Sequence, residues 1–376
     1  MAIAKGVRQI GRLNCKGGGQ IVVKNGIGFI GHMAAPDGTS IVDLRDPANP
    51  RVLAQLNVPR GLHSHKVQTA NGIMVVNREI VDRKVATAAG LRGGLAIYDV
   101  RDPASPREIA VWNCDGTGVH RFTFDGRYAY ISPEIEGYIG NIVMILDLET
   151  PDRPREVGRW WIPGQWTAGG ETPSWPGRQH RCHHAIRKDD RLYVSYWHGG
   201  GVILDISNAG SPKLVSQFDW SPPFPWPTHS LVPVPFEIHK RRYILVADED
   251  VDPIDPEMAP DLAAFIWIVD ATDERRLVPV ASFQVEGVHG RRNPQMTGCH
   301  QPVETIVSTE IPVAWFAQGL RFIDISNPMA PKETAHFLPD PADSSGRVSS
   351  NDVFMDEREL VYLIDRIGGL TIVERV

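Results

Sequence analysis

Hydrophobic residues recur along the chain in short β-branched runs that end at an acidic residue. The fullest copies read SIVDLRDPANPRVLAQL, LAIYDVRDPASPREIAVW and VMILDLETPDRPREVGRW, and further copies start at Gly201, Ile266 and Leu320. Runs such as Ile-Val-Asp are typical of strands. The Asp and the following prolines predict a tight turn, because Asp bonds its own backbone and Pro fixes φ. Each phrase therefore predicts two strands joined by a turn.

A hairpin precedes each phrase. Asn71-Gly72 and Asp125-Gly126 lie between alternating segments and are strong signals for a two-residue hairpin turn. Hairpin and phrase together give four strands per repeat, with a period of about 45 to 65 residues. A repeat of this size and content predicts the four-stranded antiparallel blade of a β-propeller.

The number of repeats predicts seven blades. Units begin near Gln20, His65, His120, His184, His229, His300 and Asn351. The last unit is one strand short, and residues 7–13 resemble an outer strand such as residues 156–160. We therefore predict an all-β, single-domain, seven-bladed propeller over residues 1–376, in which an N-terminal strand closes the last blade.

Composition narrows the partners and the compartment. The 376 residues are 42% hydrophobic and 22% charged, so a sizeable core is expected. The net charge of −6 argues against nucleic acid, and no apolar run is long enough for a membrane span. The four cysteines lack CxxC spacing and the start lacks a signal-peptide stretch, so a cytoplasmic protein with free thiols is expected. Homo-oligomer formation is left open.

The repeated VILDIS-N-P phrase resembles the LVIVD-repeat family of β-propellers. The resemblance extends over nearly the whole chain and implies the fold. It implies little about activity, because one propeller fold hosts many functions.

Histidines occupy one equivalent position in successive repeats. Five of the 13 histidines open the first strand of a predicted blade: His65, His120, His184, His229 and His300. In a propeller that strand lines the central axis, so these imidazoles are expected to converge near one mouth and to hold a transition metal. The alternative is that the repeated histidine stabilises a turn and binds no metal. Gln20 and Asn351 take this position in the other two blades.

Glutamates follow two of these histidines at constant spacing. Glu79 and Glu134 each lie 14 residues after a histidine, and Glu249 holds the comparable place after His229. A hairpin would return each carboxylate to the same mouth, where it would orient an imidazole or act as a base.

The ligand set stays open at the sequence level. His63 lies on the same side as His65 and is a spare candidate, while His183 and His184 face opposite sides. We choose His184 by its register with the downstream strand. Cys182 and Cys299 lie close to the strand starts, where a thiolate would favour a soft metal such as copper.

A ring of histidines backed by glutamates is similar to the site of the carotenoid-cleavage oxygenases. Those enzymes are seven-bladed propellers that hold Fe(II) on four histidines. A partial resemblance to the selenium-binding protein and methanethiol oxidase family rests on histidine and cysteine content. Both resemblances imply a propeller with a metal on its axis.

Two long aromatic connectors are expected to cover this mouth. One carries Trp161, Trp166 and Trp175, and the other carries Phe224 and Trp226. Their rigid apolar side chains predict a small apolar or aromatic substrate; packing on the rim or a subunit contact is the alternative. The acidic run from Asp248 to Asp261 is a further insertion, expected to be a solvated loop.

The leading hypothesis is a mononuclear metalloenzyme that uses O₂, with Fe(II) or Cu favoured over Mn or Zn. A metal-dependent hydrolase or lyase, with Glu79 or Glu134 as base, is the second hypothesis. A non-catalytic interaction scaffold is the third.

Overall fold

The structure is a computed structural model that describes residues 2–175, 177–221, 223–249, 263–286 and 298–376. In its first part the strands are β1 Ile3–Lys5, β2 Val7–Leu13, β3 Gly18–Lys24, β4 Ile27–His32, β5 Asp37–Asp43, β6 Arg51–Asn57, β7 Leu62–His63, β8 Val67–Ala70, β9 Ile73–Ile80, β10 Gly94–Asp99, β11 Arg107–Asn113, β12 Gly118–Phe124, β13 Tyr128–Glu134, β14 Val143–Asp147 and β15 Arg155–Trp160. Helix α1 (Arg83–Ala88) follows β9, and a 3₁₀ turn (Thr167–Gly169) follows β15.

The second part of the chain continues in strands. They are β16 His180–Lys188, β17 Arg191–Trp197, β18 Gly201–Asp205, β19 Lys213–Phe218, β20 Thr228–Pro233, β21 Tyr243–Asp248, β22 Ile266–Asp270, β23 Val278–Phe283, β24 Gln301–Pro302, β25 Glu310–Ala314, β26 Leu320–Asp324, β27 Lys332–Leu338, β28 Ser350–Met355, β29 Val361–Asp365 and β30 Gly369–Arg375.

The chain divides into two compact units. Unit 1 consists of Met1–Val23, Asp46–Pro50 and Trp220–Val376, and unit 2 consists of Lys24–Arg45 and Arg51–Asp219. The two units are described separately below.

In unit 2 the strands form antiparallel meanders. β9, β10 and β11 pair in chain order, and β7 and β8 both pair with β9, so that together they take the place of one strand. β12 to β15 form a second meander and β16 to β19 a third. β4, β5 and β6 also pair in order.

In unit 1 the same meander is formed by β20 to β23, by β24 to β27 and by β28 to β30. β2 pairs with β30 along its whole length, so the predicted completion of the last sheet by residues 7–13 is confirmed. β1 was not predicted; it pairs with β27 as an added edge strand.

The turn chemistry of the repeat is also confirmed. The Asp that ends the third strand of each full repeat accepts a hydrogen bond from the backbone N–H two residues later, as in Asp43 with Arg45 (3.1 Å), Asp205 with Ser207 (2.9 Å) and Asp324 with Ser326 (2.8 Å). This side-chain bond mimics a backbone turn, so the strand ends there. In one of the predicted hairpins, both Asn71 and Gly72 have positive φ, as its two-residue turn requires.

The hydrophobic residues of the repeats pack between neighbouring sheets. In unit 2 one buried cluster joins Val75 and Ile97 of one meander to Phe122 and Ile131 of the next. The predicted all-β fold of four-stranded antiparallel sheets, the fold class of the β-propeller, is confirmed. Three four-stranded meanders are complete among the described residues of each unit, which is consistent with seven blades; the single domain stays a prediction.

Candidate metal centre

Glu79 lies at the centre of a histidine cluster in unit 2. It stands near the end of β9, and its side chain is 17% exposed. The Nε2–H of His63 donates to one of its oxygens at 2.7 Å, and the Nδ1–H of His120 lies 3.0 Å from both. Burial alone would raise the pKa of Glu79, but His120 and His63 outweigh it and hold that pKa well below its usual range. Glu79 is therefore ionised at neutral pH.

His120 connects Glu79 to a further imidazole. Because its Nδ1 donates to Glu79, its Nε2 carries a lone pair when the ring is neutral. The Nε2 of His183 lies 3.1 Å from the Nε2 of His120. Burial lowers the pKa of His120, with Glu79 acting in the opposite direction, so the neutral ring prevails at pH 7.

His65 completes the cluster and is held neutral. Its ring centroid lies 4.0 Å from that of His63 and 5.2 Å from that of His120. Burial, followed by the nearby His63 and Lys66, lowers the pKa of His65 well below its usual value. The amide of Asn77 donates to His65 Nδ1 at 3.1 Å, and Asn77 is itself oriented by the backbone N–H of Lys66.

The donor atoms of this cluster are close enough for one ion. One ligand atom each from His63, His65 and Glu79 lies within 4.8 Å of the others. Two imidazoles with an ionised carboxylate form a donor set that suits Fe, Zn, Cu or Ni. The residues present therefore fit a transition metal, and the cluster could bind one.

A second histidine pair lies in unit 1. The ring centroids of His229 and His300 are 4.1 Å apart, and both side chains are almost fully buried. The Nε2 of His300 lies 3.3 Å from Glu249, and that of His229 lies 3.8 Å from it. Two imidazoles here share one carboxylate, as they do in unit 2.

The glutamates serve different histidines from those that the spacing indicated. Glu79 was expected beside His65. Its carboxylate instead accepts hydrogen bonds from His63 and from His120 of the following meander. The carboxylate of Glu134 contacts Thr117 and Arg83 (2.8 Å) rather than the ring of His120. The residue 14 positions after a histidine thus returns to the correct edge of the sheet, but the sheet-to-sheet packing decides which ring it meets.

His183 and His184 take different places in the structure, and the metal-binding role of His184 stays a prediction. It is His183 that contacts His120, while the backbone N–H of His184 bonds the Ser195 hydroxyl at 3.1 Å. The register of β16 is regular from His184 onward but shifts between His180 and His184, so strand alternation does not predict where the ring of His183 lies. His184 is nonetheless fully buried close to His120, and burial lowers its pKa strongly.

The aromatic connectors pack mainly among themselves and onto their own sheets. Trp161 and Trp166 form a cluster with Tyr138, and Trp175 stacks on His180 at 4.4 Å. In unit 1 Phe224 packs edge-on against Trp267, at 4.7 Å between ring centroids. Trp226 is buried. A substrate role for Trp161, Trp166, Trp175, Phe224 and Trp226 stays a prediction.

An aromatic residue that sequence reasoning missed contacts the histidines in each unit. The ring of Trp197 lies 5.0 Å from that of His183, and Phe316 lies 4.4 Å from His300. Both have positive φ at the same point of the repeat, where a hairpin strand ends. An alignment of YWHGG with WFAQG, each before a third strand, would have revealed the pair. Arg181 stacks on Trp197 and Arg366 on Phe316.

The cysteines near the strand starts are buried thiols. Burial raises the pKa of both Cys182 and Cys299 far above the usual value, so neither is a thiolate at neutral pH as it stands. All four cysteines are free. Most of the acidic run from Asp248 to Asp261 lies outside the described residues; Asp248 itself is buried and bonds Trp267 at 2.7 Å.

Comparisons with known proteins support the repeat family. Residues 188–219 and 313–338 match the family model of the LVIVD repeat, which agrees with the resemblance of the repeated phrase. No curated protein is significantly similar to the chain.

Solved structures share the fold at very low sequence identity. The extracellular domain of the putative hybrid two-component system BT4673 from B. thetaiotaomicron has a TM-score of 0.58 and 10% identity; the match covers 98% of this chain and 39% of that one. The computationally designed Ika8 protein has a TM-score of 0.53 and 7% identity, over 98% and 99% of the two chains. At such identities the likeness concerns the fold alone. Within the described residues, no helix has the length and apolarity needed to cross a bilayer.

Proposed function

We propose that the protein is a metal-dependent oxidoreductase that uses O₂ and carries one transition-metal ion in unit 2. His63, His65 and Glu79 would hold the ion, and His120 and His183 would surround it. One observation carries the proposal: the hydrogen-bond partners of the largely buried carboxylate of Glu79, among the described residues, are imidazoles.

The electrostatics of this arrangement favour a bound cation. At pH 7 His65 and His120 are neutral while Glu79 is ionised. A buried negative charge is costly unless a cation compensates it. A divalent ion would supply that compensation and would use the imidazole lone pairs at the same time.

The donor set favours iron among the candidate metals. Two histidines with one carboxylate, leaving positions open, are typical of non-haem Fe(II) oxygenases. Copper is the second choice because further imidazoles lie close by. Either ion would supply O₂ binding and electron transfer to a small apolar or aromatic substrate.

The protein side chains have separable tasks in this proposal. Glu79 neutralises charge and, through its second oxygen, keeps the ring of His120 oriented. Burial of His63 and His65 limits the access of water. The Asn77 amide donates to His65 Nδ1, so the proton of the neutral His65 ring lies on Nε2. If His65 held the ion through Nε2, that proton would have to move to Nδ1 and the bond from Asn77 would be lost. Trp197 provides an apolar wall beside His183.

Metal analysis tests the proposal directly. We expect the purified protein, after anaerobic incubation with Fe(II) and desalting, to retain about one ion per chain in elemental analysis. The Glu79→Gln and His63→Ala variants should lose most of it, since each removes a donor. Electron paramagnetic resonance with nitric oxide would report the Fe(II) environment, and O₂ uptake with small aromatic substrates would report turnover.

A matched control is available in unit 1. His336 also bonds a glutamate, Glu333, at 2.7 Å, but no third donor accompanies this pair among the metal-binding groups found in the described residues. His336→Ala should therefore retain the ion. The proposal would be contradicted if the wild-type protein held no metal after incubation with Fe(II), Cu and Zn, or if Glu79→Gln retained the full amount of metal. Either result would favour an interaction scaffold.

A further inference from the structure

A cavity in unit 2 lies beside the segment that carries His63 and His65 and is lined by Ser64 of that segment. It has a volume of about 220 Å³ and lies between the sheet of β5 and β6 and the sheet of β9 to β11. Its walls include Thr39, Ser64, Arg78 and Tyr98. Ser64 stands between the two histidines in sequence, so its side chain points away from theirs and into this space.

Three buried polar atoms in this wall have no hydrogen-bond partner. They are the hydroxyl oxygens of Thr39 and Ser64 and the Nε of Arg78. The Thr39 and Ser64 residues are 1% and 3% exposed, so solvent does not reach them freely. Native proteins leave few buried polar groups unsatisfied, and their convergence on one cavity indicates that a ligand completes the set.

The chemistry of these atoms selects the ligand. No carboxylate among the described residues forms an ion pair with Arg78, so its guanidinium offers parallel N–H donors to a planar anion. The two hydroxyls can donate to the same group. Leu56, Val58, Val76 and Ala96 form an apolar remainder, which suits a hydrocarbon chain.

Charge and size narrow the ligand further. Glu108 also lines the cavity and accepts a hydrogen bond from Tyr98 at 3.0 Å, which together with burial raises the pKa of Tyr98 to about 12. A second negative charge on the ligand would be repelled by Glu108. The cavity is below the range of roughly 300 to 1,000 Å³ typical of drug-sized ligands. We infer that it binds a small organic monocarboxylate through Arg78, Thr39 and Ser64.

Calorimetric titration with butyrate tests this inference. Butyrate should bind the wild-type protein with a measurable dissociation constant, while the neutral isostere butyramide and inorganic phosphate should bind at least tenfold more weakly. Arg78→Gln should weaken butyrate binding at least tenfold. Thr39→Val keeps the side-chain shape and removes the hydroxyl, so it should weaken butyrate binding several-fold. This variant tests the inference if Arg78→Gln does not fold.

Controls separate this site from the metal centre. Arg153→Gln removes an exposed arginine elsewhere in unit 2 and should bind butyrate like the wild type. Glu79→Gln and chelator-treated protein should also bind it unchanged, so the carboxylate site can stand if the metal proposal fails. The inference would be overturned if butyrate did not bind, if butyramide bound equally well, or if phosphate bound better. Full affinity for butyrate in Arg78→Gln and Thr39→Val would also overturn it.

Discussion

At the scale of single residues, Glu79 matters most in the histidine cluster because its carboxylate is ionised at neutral pH. It receives N–H bonds from two imidazoles that belong to successive meanders. The spacing in the sequence identified this glutamate and the histidines as a group. It could not identify which ring each carboxylate meets, because that depends on how one sheet packs on the next.

Glu79→Gln should destabilise the metal-free protein in a pH-dependent manner. The folded state depresses the pKa of this carboxyl below its ordinary value of 4.5. Its stabilising contribution is therefore complete above about pH 4.5 and disappears as the pH falls through the lower folded-state pKa. We expect a loss of about 2 kcal/mol in the free energy of unfolding at pH 7. Urea denaturation between pH 3 and pH 7 should show the difference from wild type shrinking toward acid; a constant difference would contradict this account.

The neighbours His183 and His184 provide a second test at this scale. His183 contacts His120 directly, so His183→Ala should alter the pKa and the metal response of that ring. His184→Ala removes a fully buried ring and should mainly lower stability. Histidine NMR titrations with and without Zn²⁺ compare the two variants. A larger shift of the His120 signals in His184→Ala would support the original choice by register.

At the scale of strands, each of two outer strands passes very close to the backbone of a turn in another sheet, and the sequence alone does not predict this contact. Gly11 in β2 and Gly158 in β15 occupy matching outer-strand positions, and each faces the Asp-Pro-type turn of another sheet. A Cβ on Gly11 would lie 1.9 Å from the carbonyl oxygen of Pro47, and one on Gly158 would lie 2.0 Å from that of Ala209. The turn could be predicted from Asp and Pro. Its contact with a neighbouring strand could not, since it depends on packing.

Gly11→Ala should therefore destabilise unit 1. The added methyl group must displace backbone rather than a flexible side chain, which costs about 1–3 kcal/mol in overpacked sites. Gly368→Ala is the control, since its Cβ would have no atom nearer than 3.6 Å. Chemical denaturation of both variants measures the difference, and equal stabilities would contradict the close approach.

At the scale of the whole molecule, the sequence predicted the architecture better than the chemistry. The same strand pattern occurs in every repeat, so a wrong strand assignment in one copy can be corrected from the others. The strand of residues 7–13 was predicted because the last repeat lacked a partner, and its pairing with β30 confirms it. The histidine cluster depends on register shifts near the starts of β12, β16, β20 and β28, and the alternation of residues in the sequence does not reveal them.

Removal of residues 2–13 should expose the edge of β30 and of β27. We expect the melting temperature to fall by about 10 °C, since a loss of roughly 4 kcal/mol has that effect in a unit of this size, and we expect self-association through the unpaired strands. Removal of residues 2–5 takes away β1 alone and should have a smaller effect. Thermal unfolding and gel filtration compare the two, and a peptide of residues 6–14, but not a scrambled one, should restore the longer truncation. Unchanged melting would contradict a structural role for β2.

The pairing of β2 with β30 has a consequence for biosynthesis. On a ribosome that adds roughly 5–20 residues per second, the segment 7–13 waits about 20 to 70 s before its partner is translated. Residues 51–219 of unit 2 are continuous in sequence and can collapse while the nascent chain is still growing. The waiting N-terminal segment is thus a natural client for chaperones, and unit 1 becomes complete only after translation has passed residue 375.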